Sequence, residues 1–199
     1  MRKEKAMIYV VMGKSSSGKD TIYHRLLEDK TLDLHRIVTY TTRPARQNEK
    51  NGVEYYFTNK CDMLKMESEG KIIEKRCYNT MHGDWYYFTA DDGNTDINSG
   101  DYLVIGTLES YESMKKYYGE NKVCPIYVEV ENGERLSRAL EREKKQDNPK
   151  YTEMCRRFIA DEEDFSEEKI KRLNITKRYK NDNVDDCIKM ISQTVKAKK

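Results

Sequence analysis

The nine residues GKSSSGKDT, at positions 13–21, follow the apolar run AMIYVVM and lead into the amphipathic stretch DTIYHRLLEDK. A short continuous apolar run is typical of a buried parallel strand, so this order predicts a strand, a loop and a helix. The loop matches the phosphate-binding pattern G-x-x-x-x-G-K-[ST], except that Asp20 stands at the hydroxyl position. These features predict an α/β fold with a central parallel sheet and a phosphate site at its edge.

Glycines let such a loop turn tightly and aim several backbone N–H groups at one anion, and the following helix adds its positive N-terminal end. Lys19 would lie along the β- and γ-phosphates of a nucleotide. A plain strand-to-helix turn is the alternative, but the position between a strand and a helix favours a phosphate loop. We expect the nucleotide to be contacted by Gly13, Lys14, Ser15, Ser16, Ser17, Gly18, Lys19, Asp20 and Thr21.

Strand and helix patterns alternate again in the second half of the chain. DYLVIGT precedes LESYESMKKYYG, and VCPIYVEV precedes NGERLSRALEREKK. Residues 151–173 predict one long charged helix, residues 174–181 a final strand, and the remaining residues a C-terminal helix. Together with the first unit, they indicate a parallel sheet flanked by helices.

The pattern changes between about residues 36 and 99. One helix is predicted over residues 61–70, and residues 81–84 (MHGD) are expected to form a hairpin turn. The short aromatic strand candidates there are RIVTYTTR, VEYYF, KIIEKRCYN and DWYYFTA. We therefore predict a mostly antiparallel lobe inserted after the first strand and helix.

Composition restricts the classes of partner and compartment. The 199 residues suit one core, and 37 basic residues nearly balance 35 acidic ones, so no nucleic-acid partner is expected. No run approaches the roughly 18 apolar residues of a membrane span, so no membrane partner is expected. The five cysteines are an odd number without a C-x-x-C pair, which favours a reducing, cytoplasmic setting.

A second cluster lies in TYTTRPARQNEKNGVEYYF, residues 39–57, where Arg43 and Arg46 flank Pro44. Arginine pairs with phosphate through two parallel hydrogen bonds, and a proline-stiffened loop would hold two arginines at a fixed separation. Taken alone, the stretch could equally be a solvated basic loop. Its position after the phosphate loop favours a clamp for a second phosphate.

Six segments occur along the chain in a fixed order: GKSSSGKDT, TYTTRPAR, GVEYYF, IIE (72–74), YFT (87–89), and the stretch from ALERE to CRRF. In these segments and their order, the chain resembles guanylate kinases. The resemblance covers nearly the whole chain, and TTRPAR with GVEYYF is its most specific part. It implies a P-loop kinase with a five-stranded parallel sheet. It also implies a core of residues 1–35 and 100–199, a nucleoside-monophosphate-binding lobe of about 36–99, and a helical lid of about 138–158.

The resemblance also implies a role for each matching residue. The GMP phosphate would be held by Arg43, Arg46, Tyr55 and Tyr87. Glu74 would accept hydrogen bonds from the guanine edge, with Thr89 and Thr39 as hydroxyl partners. The lid arginines would be Arg142 and Arg157, with Arg138 and Arg156 as neighbours able to substitute, and Asn181 would lie near the adenine of ATP. Lys19, Arg43, Arg142 and Arg157 would be catalytic.

Several positions depart from the family pattern. Asp20 replaces a hydroxyl that ligates Mg²⁺, and Thr107 stands where a carboxylate near GMP is expected. Our hypothesis is that these two changes are one relocated metal site, in which Asp20 supplies the carboxylate for Mg²⁺. Between Glu74 and Tyr87 the chain is about four residues longer than the family pattern, and Phe88 replaces a glycine, so a reshaped base pocket is expected.

The resemblance thus implies ATP-dependent phosphorylation of GMP, or of dGMP, with Mg²⁺ as cofactor and ATP and GMP as small-molecule partners. Two alternatives remain open from the sequence. One is a binding module of the same fold without turnover, and the other is a kinase acting on another nucleoside monophosphate or a phosphosugar. A monomer or a homodimer is expected.

Overall fold

The computed structural model describes residues 6–47, 49–80, 83–93, 95–96 and 99–199. The strands are β1 Ile8–Met12, β2 Leu34–Arg36, β3 Tyr40–Thr41, β4 Tyr56–Phe57, β5 Ile72–Thr80, β6 Gly83–Ala90, β7 Asp101–Ile105, β8 Val123–Glu129 and β9 Arg178–Lys180. The α-helices are α1 Lys19–Glu28, α2 Lys60–Ser68, α3 Leu108–Tyr118, α4 Asn132–Lys144, α5 Tyr151–Asp164, α6 Glu167–Arg172 and α7 Val184–Lys196.

The central sheet has five strands in the order β2-β7-β1-β8-β9, and every pairing in it is parallel. All five residues of β1 are buried. Ile8, Val10 and Met12 enter the core on one face, whereas Tyr9 and Val11 enter the core on the other. A strand covered on both faces needs apolar residues at every position, which explains the continuous apolar run. The predicted five-stranded parallel sheet is confirmed.

The parallel register gathers three chain segments at one edge of this sheet. Val11 of β1 lies beside Ile105 of β7 and Ile126 of β8. The phosphate loop that follows β1 therefore emerges between the segments that follow β7 and β8. Ligands of open α/β sheets bind at such carboxyl ends.

The second sheet has the order β4-β3-β6-β5, with antiparallel β5–β6 and β3–β6 pairs and a parallel β3–β4 pair. Met63 of α2 packs with Phe88 and Ala90 of β6 in a small separate core. Because side chains alternate along a strand, Tyr87 and Thr89 lie on the opposite face, together with Glu74 and Arg76 of β5. The predicted antiparallel lobe is confirmed.

Side-chain caps set five of the helix starts, at Asn59, Thr107, Glu131, Ser166 and Asn183. Thr107 begins α3 with a reciprocal capping box, in which its Oγ1 accepts from Ser110 N at 3.2 Å and its N–H donates to Ser110 Oγ at 2.7 Å. Ser166 caps α6 by accepting from Lys169 N. The prediction of one helix over residues 151–173 is wrong, because α5 ends at Asp164 and buried Phe165 stacks on Tyr127 with ring centroids 5.9 Å apart.

The prediction of one strand at RIVTYTTR is also wrong. Leu34–Arg36 pairs with β7 in the central sheet, whereas Tyr40–Thr41 belongs to the second sheet. The chain therefore crosses between the two sheets within this stretch. The hairpin turn predicted at residues 81–84 lies partly outside the described residues. Among the residues that the structure describes, no helix is both long and apolar enough to cross a membrane.

Candidate active site

The phosphate loop makes a tight turn that requires glycine at two positions. Gly18 has φ +82°, and a Cβ there would lie 2.4 Å from Asn181 Nδ2. A Cβ at Gly13 would lie 2.5 Å from the Val128 carbonyl oxygen. The hydroxyls of Ser16 and Ser17 are buried and have no hydrogen-bond partner among the described residues. Two unsatisfied hydroxyls in a loop of this shape are suited to an anion.

Asn181 is hydrogen-bonded to the backbone of the phosphate loop. It is buried, and its Nδ2 donates to the Ser17 carbonyl at 2.8 Å. Arg138 Nη2 donates to the Asn181 carbonyl at 3.1 Å, which ties the same residue to α4. Asn181 was predicted to lie near adenine, and the structure places its amide against the loop backbone. Its side chain therefore fixes the loop conformation.

Lys19 begins α1 with a side chain that is 19% exposed. Burial is the largest influence and lowers the pKa of its ammonium group below the ordinary value, and Arg157 and Arg142 act in the same direction. Asp20 opposes them, with Oδ2 3.8 Å from Lys19 Nζ and a side chain that is 73% exposed. A bound anion would compensate the cost of burying this cation. Thr21 is exposed on the same first turn.

Helices α4 and α5 face the phosphate loop through one buried arginine. Arg135 is 1% exposed, and its Nε donates to the Ser15 carbonyl at 3.0 Å. Its Nη2 donates to Asp161 at 2.9 Å and its Nη1 to Glu162 at 3.1 Å. The guanidinium also lies 4.7 Å from the ring centroid of Phe158. Arg135 therefore joins both helices to the loop.

Two acids of α5 reach the loop directly. Asp161 Oδ2 accepts from the Ser15 N–H at 2.7 Å, and Glu162 Oε2 accepts from Lys14 Nζ at 2.7 Å. Arg157, one of the predicted lid arginines, donates from Nη2 to Ser15 Oγ at 3.3 Å. Charged hydrogen bonds therefore hold α5 against the loop.

The predicted clamp arginine Arg43 is buried and already has an anionic partner. Its Nη1 and Nη2 donate to the two carboxylate oxygens of Glu49, each at 2.8 Å, and Nη1 also donates to the Pro44 carbonyl. Its Nε donates to the Tyr87 hydroxyl at 3.1 Å. The Glu49 hydrogen bonds raise the pKa of Arg43 and lower that of the carboxyl. Four of the five guanidinium N–H donors are therefore occupied.

The other clamp residues surround Arg43. Its guanidinium carbon lies 5.5 Å from the ring centroid of Tyr55, and the Tyr55 and Tyr87 rings meet edge to face at 5.7 Å. Burial raises the pKa of the Tyr55 hydroxyl. Arg46 is exposed, and its backbone N–H donates to Glu49. Glu49 therefore fixes both arginine positions.

Glu74 is buried at the opposite end of the same sheet face. Its Oε1 accepts from Thr89 Oγ1 at 2.9 Å, so two residues that are each predicted to contact the base are hydrogen-bonded to one another. Arg76, which the sequence argument did not single out, also binds it, with Nε 3.0 Å from Oε2 and Nη2 3.3 Å from Oε1. Thr39 uses its carbonyl to accept from Tyr56 N.

Five of the predicted residues line one large cavity of about 840 Å³. It lies between the phosphate loop, the second sheet and helices α4 and α5. Its walls include Ser15, Ser16, Arg46, Arg142 and Arg157, together with Trp85. Thr107 lines a different cavity of about 400 Å³ beside Arg76. Arg156 pairs with Glu153 at 2.7 Å on its own helix.

No sequence motif marks five of the residues that build the site: Glu49, Arg76, Arg135, Asp161 and Glu162. Glu49 lay inside the stretch chosen for the clamp and could have been found as the acid nearest two arginines. The other four carry no motif, and Arg135 and Asp161 find their partners across the fold.

A phosphate loop lies between a parallel strand and a helix and faces arginines from the loop after β3 and from two covering helices. This arrangement defines a P-loop nucleoside monophosphate kinase. The guanylate kinase family model matches residues 5–198. The chain belongs to the guanylate kinase family.

Curated guanylate kinases support this membership. That of Anaplasma phagocytophilum is 31% identical over 145 residues, covering 70% of this chain and 65% of the relative. That of Porphyromonas gingivalis is 29% identical over 137 residues, covering 68% and 71%. A crystal structure of guanylate kinase from Anaplasma phagocytophilum matches with a TM-score of 0.64 at 22% identity, over 99% of this chain and 88% of that one, which supports the fold.

Proposed function

We propose that the protein transfers the γ-phosphoryl group of ATP to the phosphate of GMP, giving ADP and GDP. The observation that carries this proposal is the cavity in which Ser15 and Ser16 of the phosphate loop face Arg46, Arg142 and Arg157. A donor phosphate on the loop and an acceptor phosphate at the clamp would meet there. The family relationship supplies the two nucleotides.

The donor phosphates would replace water on the loop. The unpartnered hydroxyls of Ser16 and Ser17 and the N-terminal end of α1 would bind oxygen atoms of ATP. Lys19 would add its positive charge, and a bound triphosphate would raise the pKa that burial lowers. Arg142 and Arg157 would stabilise charge on the oxygens of the moving phosphoryl group.

The acceptor would lie along the second sheet. Its phosphate would take the remaining N–H of Arg43 and the side chains of Arg46 and Tyr55, with Tyr87 holding the Arg43 Nε. Its base would meet Glu74 and Thr89 at the other end of the same face.

The chemical step needs little acid–base help. An oxygen of the GMP phosphate, already anionic, would attack the γ-phosphorus in line, and the bond from phosphorus to the β–γ bridging oxygen would break. ADP then leaves with the electron pair of that bond. Orientation and fixed positive charge therefore supply most of the rate. Closure of α4 and α5 over the loop would exclude water and suppress hydrolysis of ATP.

A metal ion fits the donor set at the loop. Asp20 offers an exposed carboxylate on the first turn of α1, and Mg²⁺ is bound in such sites by one or two carboxylates plus substrate phosphates and water. Mg²⁺, when bound, would neutralise charge on the ATP phosphates. We propose Asp20 as its protein ligand, in place of a carboxylate at Thr107. The Thr107 hydroxyl is occupied as a helix cap.

The setting proposed is the cytoplasm, with the protein acting as a monomer or a homodimer on small molecules alone. All five cysteines fall within the described residues and are free thiols, which suits a reducing compartment.

A coupled assay that follows ADP production from ATP, Mg²⁺ and GMP tests the function. Turnover with GMP, and with dGMP, is expected. Arg142→Ala should reduce kcat strongly, because it removes a cation from the cavity, whereas the exposed Arg156→Ala should change kcat little. Absence of turnover beside measurable GMP binding would refute the proposed kinase activity.

A further inference from the structure

The face of the second sheet that would receive the acceptor carries an arginine between its base end and its phosphate end. Arg76 pairs across the strands with Tyr87, and Glu74 pairs with Thr89 one step further along. Side chains two residues apart on a strand share a face about 7 Å apart. Arg76 thus neighbours both the carboxylate proposed to read the base, on its own strand, and the tyrosine proposed to serve the phosphate, on the adjacent strand.

The hydrogen-bonding capacity of Glu74 is nearly used up. A carboxylate has about four lone-pair sites, two on each oxygen. Oε1 accepts from Thr89 Oγ1 and from Arg76 Nη2, and Oε2 accepts from Arg76 Nε. One site, on Oε2, remains for a ligand. Because the Glu74 side chain is 2% exposed and that of Arg76 is 17% exposed, this arrangement is shielded from water.

Guanine offers two donors on the edge that faces such a carboxylate, N1–H and the 2-amino group, and hypoxanthine offers N1–H alone. With Arg76 in place, Glu74 has room for one of them. Resting on the proposed function, we propose that Arg76 is a specificity-determining residue that makes the acceptor site accept 6-oxopurine monophosphates, GMP and IMP, with weak regard for the 2-amino group. Arg76 also hydrogen-bonds the Tyr78 side chain, and its remaining N–H donors suit the 6-oxo oxygen that both bases share.

The neighbouring cavity fits this selectivity. Arg76 and Thr107 line the same space of about 400 Å³. Thr107 is a neutral residue whose hydroxyl caps α3, so it adds no carboxylate to receive a second base donor. The acids on the cavity wall, Glu109 and Asp164, are both exposed, so their carboxylates are hydrated. No buried acceptor among the described lining residues replaces the one that Arg76 occupies.

The test compares kcat/KM for GMP and IMP in the wild type and in two variants. Arg76→Lys keeps a cation beside Glu74 but removes the two-pronged contact, since an ammonium is a point donor. Arg76→Ala removes the contact altogether. Arg172→Ala is the matched control, because Arg172 lines the same cavity and pairs with Glu112 at 3.4 Å, away from Glu74.

In the wild type, GMP and IMP should differ by less than about tenfold. Both Arg76 variants should raise the GMP to IMP ratio by about tenfold, the effect of one more hydrogen bond to a charged group. Arg172→Ala should leave the ratio unchanged. An unchanged ratio in Arg76→Lys, or a wild type that already rejects IMP a hundredfold, would overturn the proposal.

Calorimetric binding of GMP and IMP separates this idea from the kinase activity. If the wild type binds both nucleotides similarly but turns neither over, the proposed function fails while the role of Arg76 stands. If GMP is phosphorylated and the Arg76 variants lose affinity for both bases equally, the kinase stands and the role of Arg76 in selection fails. Arg76→Lys also serves if Arg76→Ala does not fold.

Discussion

Replacing Asp161 by Ala should destabilise the contact between α5 and the phosphate loop. Asp161 Oδ2 accepts from the Ser15 N–H at 2.7 Å and from Arg135 Nη2 at 2.9 Å. The Asp161 side chain is 13% exposed and that of Arg135 is 1% exposed, so the change leaves a buried cation with a weaker set of partners. Glu162 remains 3.1 Å from Arg135 Nη1, but its side chain is 42% exposed.

Breaking a buried ion pair by removing one partner costs about 3–5 kcal/mol. Because Glu162 stays in contact and Arg135 keeps its hydrogen bond to the Ser15 carbonyl, we expect the lower end, about 3 kcal/mol. For a chain of this size, about 2–4 °C is lost per kcal/mol, so the melting temperature should fall by roughly 6–12 °C.

Urea unfolding, with thermal melting alongside, measures the loss. Glu163→Ala is the matched control, since Glu163 is an exposed acid two positions along the same helix. Arg135→Met with Asp161→Ala completes a double-mutant cycle, and the double variant should be less destabilised than the sum of the single changes by about 1–3 kcal/mol. Additive effects, or a loss below about 1 kcal/mol in Asp161→Ala, would refute the reasoning.

Three further changes test the loop, the clamp and the metal. Gly18→Ala should lower the melting temperature and raise the KM for ATP, because φ is +82° and the new Cβ would meet Asn181 Nδ2 at 2.4 Å; a normal KM contradicts this. Glu49→Gln should raise the KM for GMP about tenfold, with less effect on kcat, because Arg43 loses its charged two-pronged partner. An unchanged or lower KM would show that Glu49 does not position the phosphate clamp. Asp20→Asn should raise the Mg²⁺ concentration needed for half-maximal activity and lower kcat, and full activity at low Mg²⁺ would remove Asp20 as a ligand.

Local sequence patterns predicted much of the architecture. The apolar run through β1 is buried on both faces, which is why the sequence has no polar position there. The two stretches that form β5 and β6 pair antiparallel, as their place on either side of a predicted hairpin turn indicates. Phosphate-loop glycines can be recognised from sequence because the backbone conformation itself demands them.

Helix boundaries and the crossing between sheets needed tertiary information. Residues 151–173 are helix-forming throughout by composition. The helix nevertheless ends at Asp164, because the Phe165 ring stacks on the Tyr127 ring of β8. Residues 36–43 read as one strand because the stretch suits extended backbone, yet Arg36 pairs with β7 whereas Tyr40 and Thr41 pair with β6. Local propensity does not encode which distant strand a segment will meet.

The sequence by itself determined the kind of site: a loop for phosphate, two arginines beside a proline, and a glutamate with a threonine to meet a base. Tertiary structure decided which of these groups are free. The Arg43 guanidinium is hydrogen-bonded to Glu49, and the Glu74 carboxylate accepts from Arg76. The Ser15 N–H donates to Asp161, which lies 146 positions away in the chain. Hydrogen-bonding capacity is consumed by whichever partner packing brings within 3 Å, so the occupancy of each functional group follows from the fold and not from its own residue type.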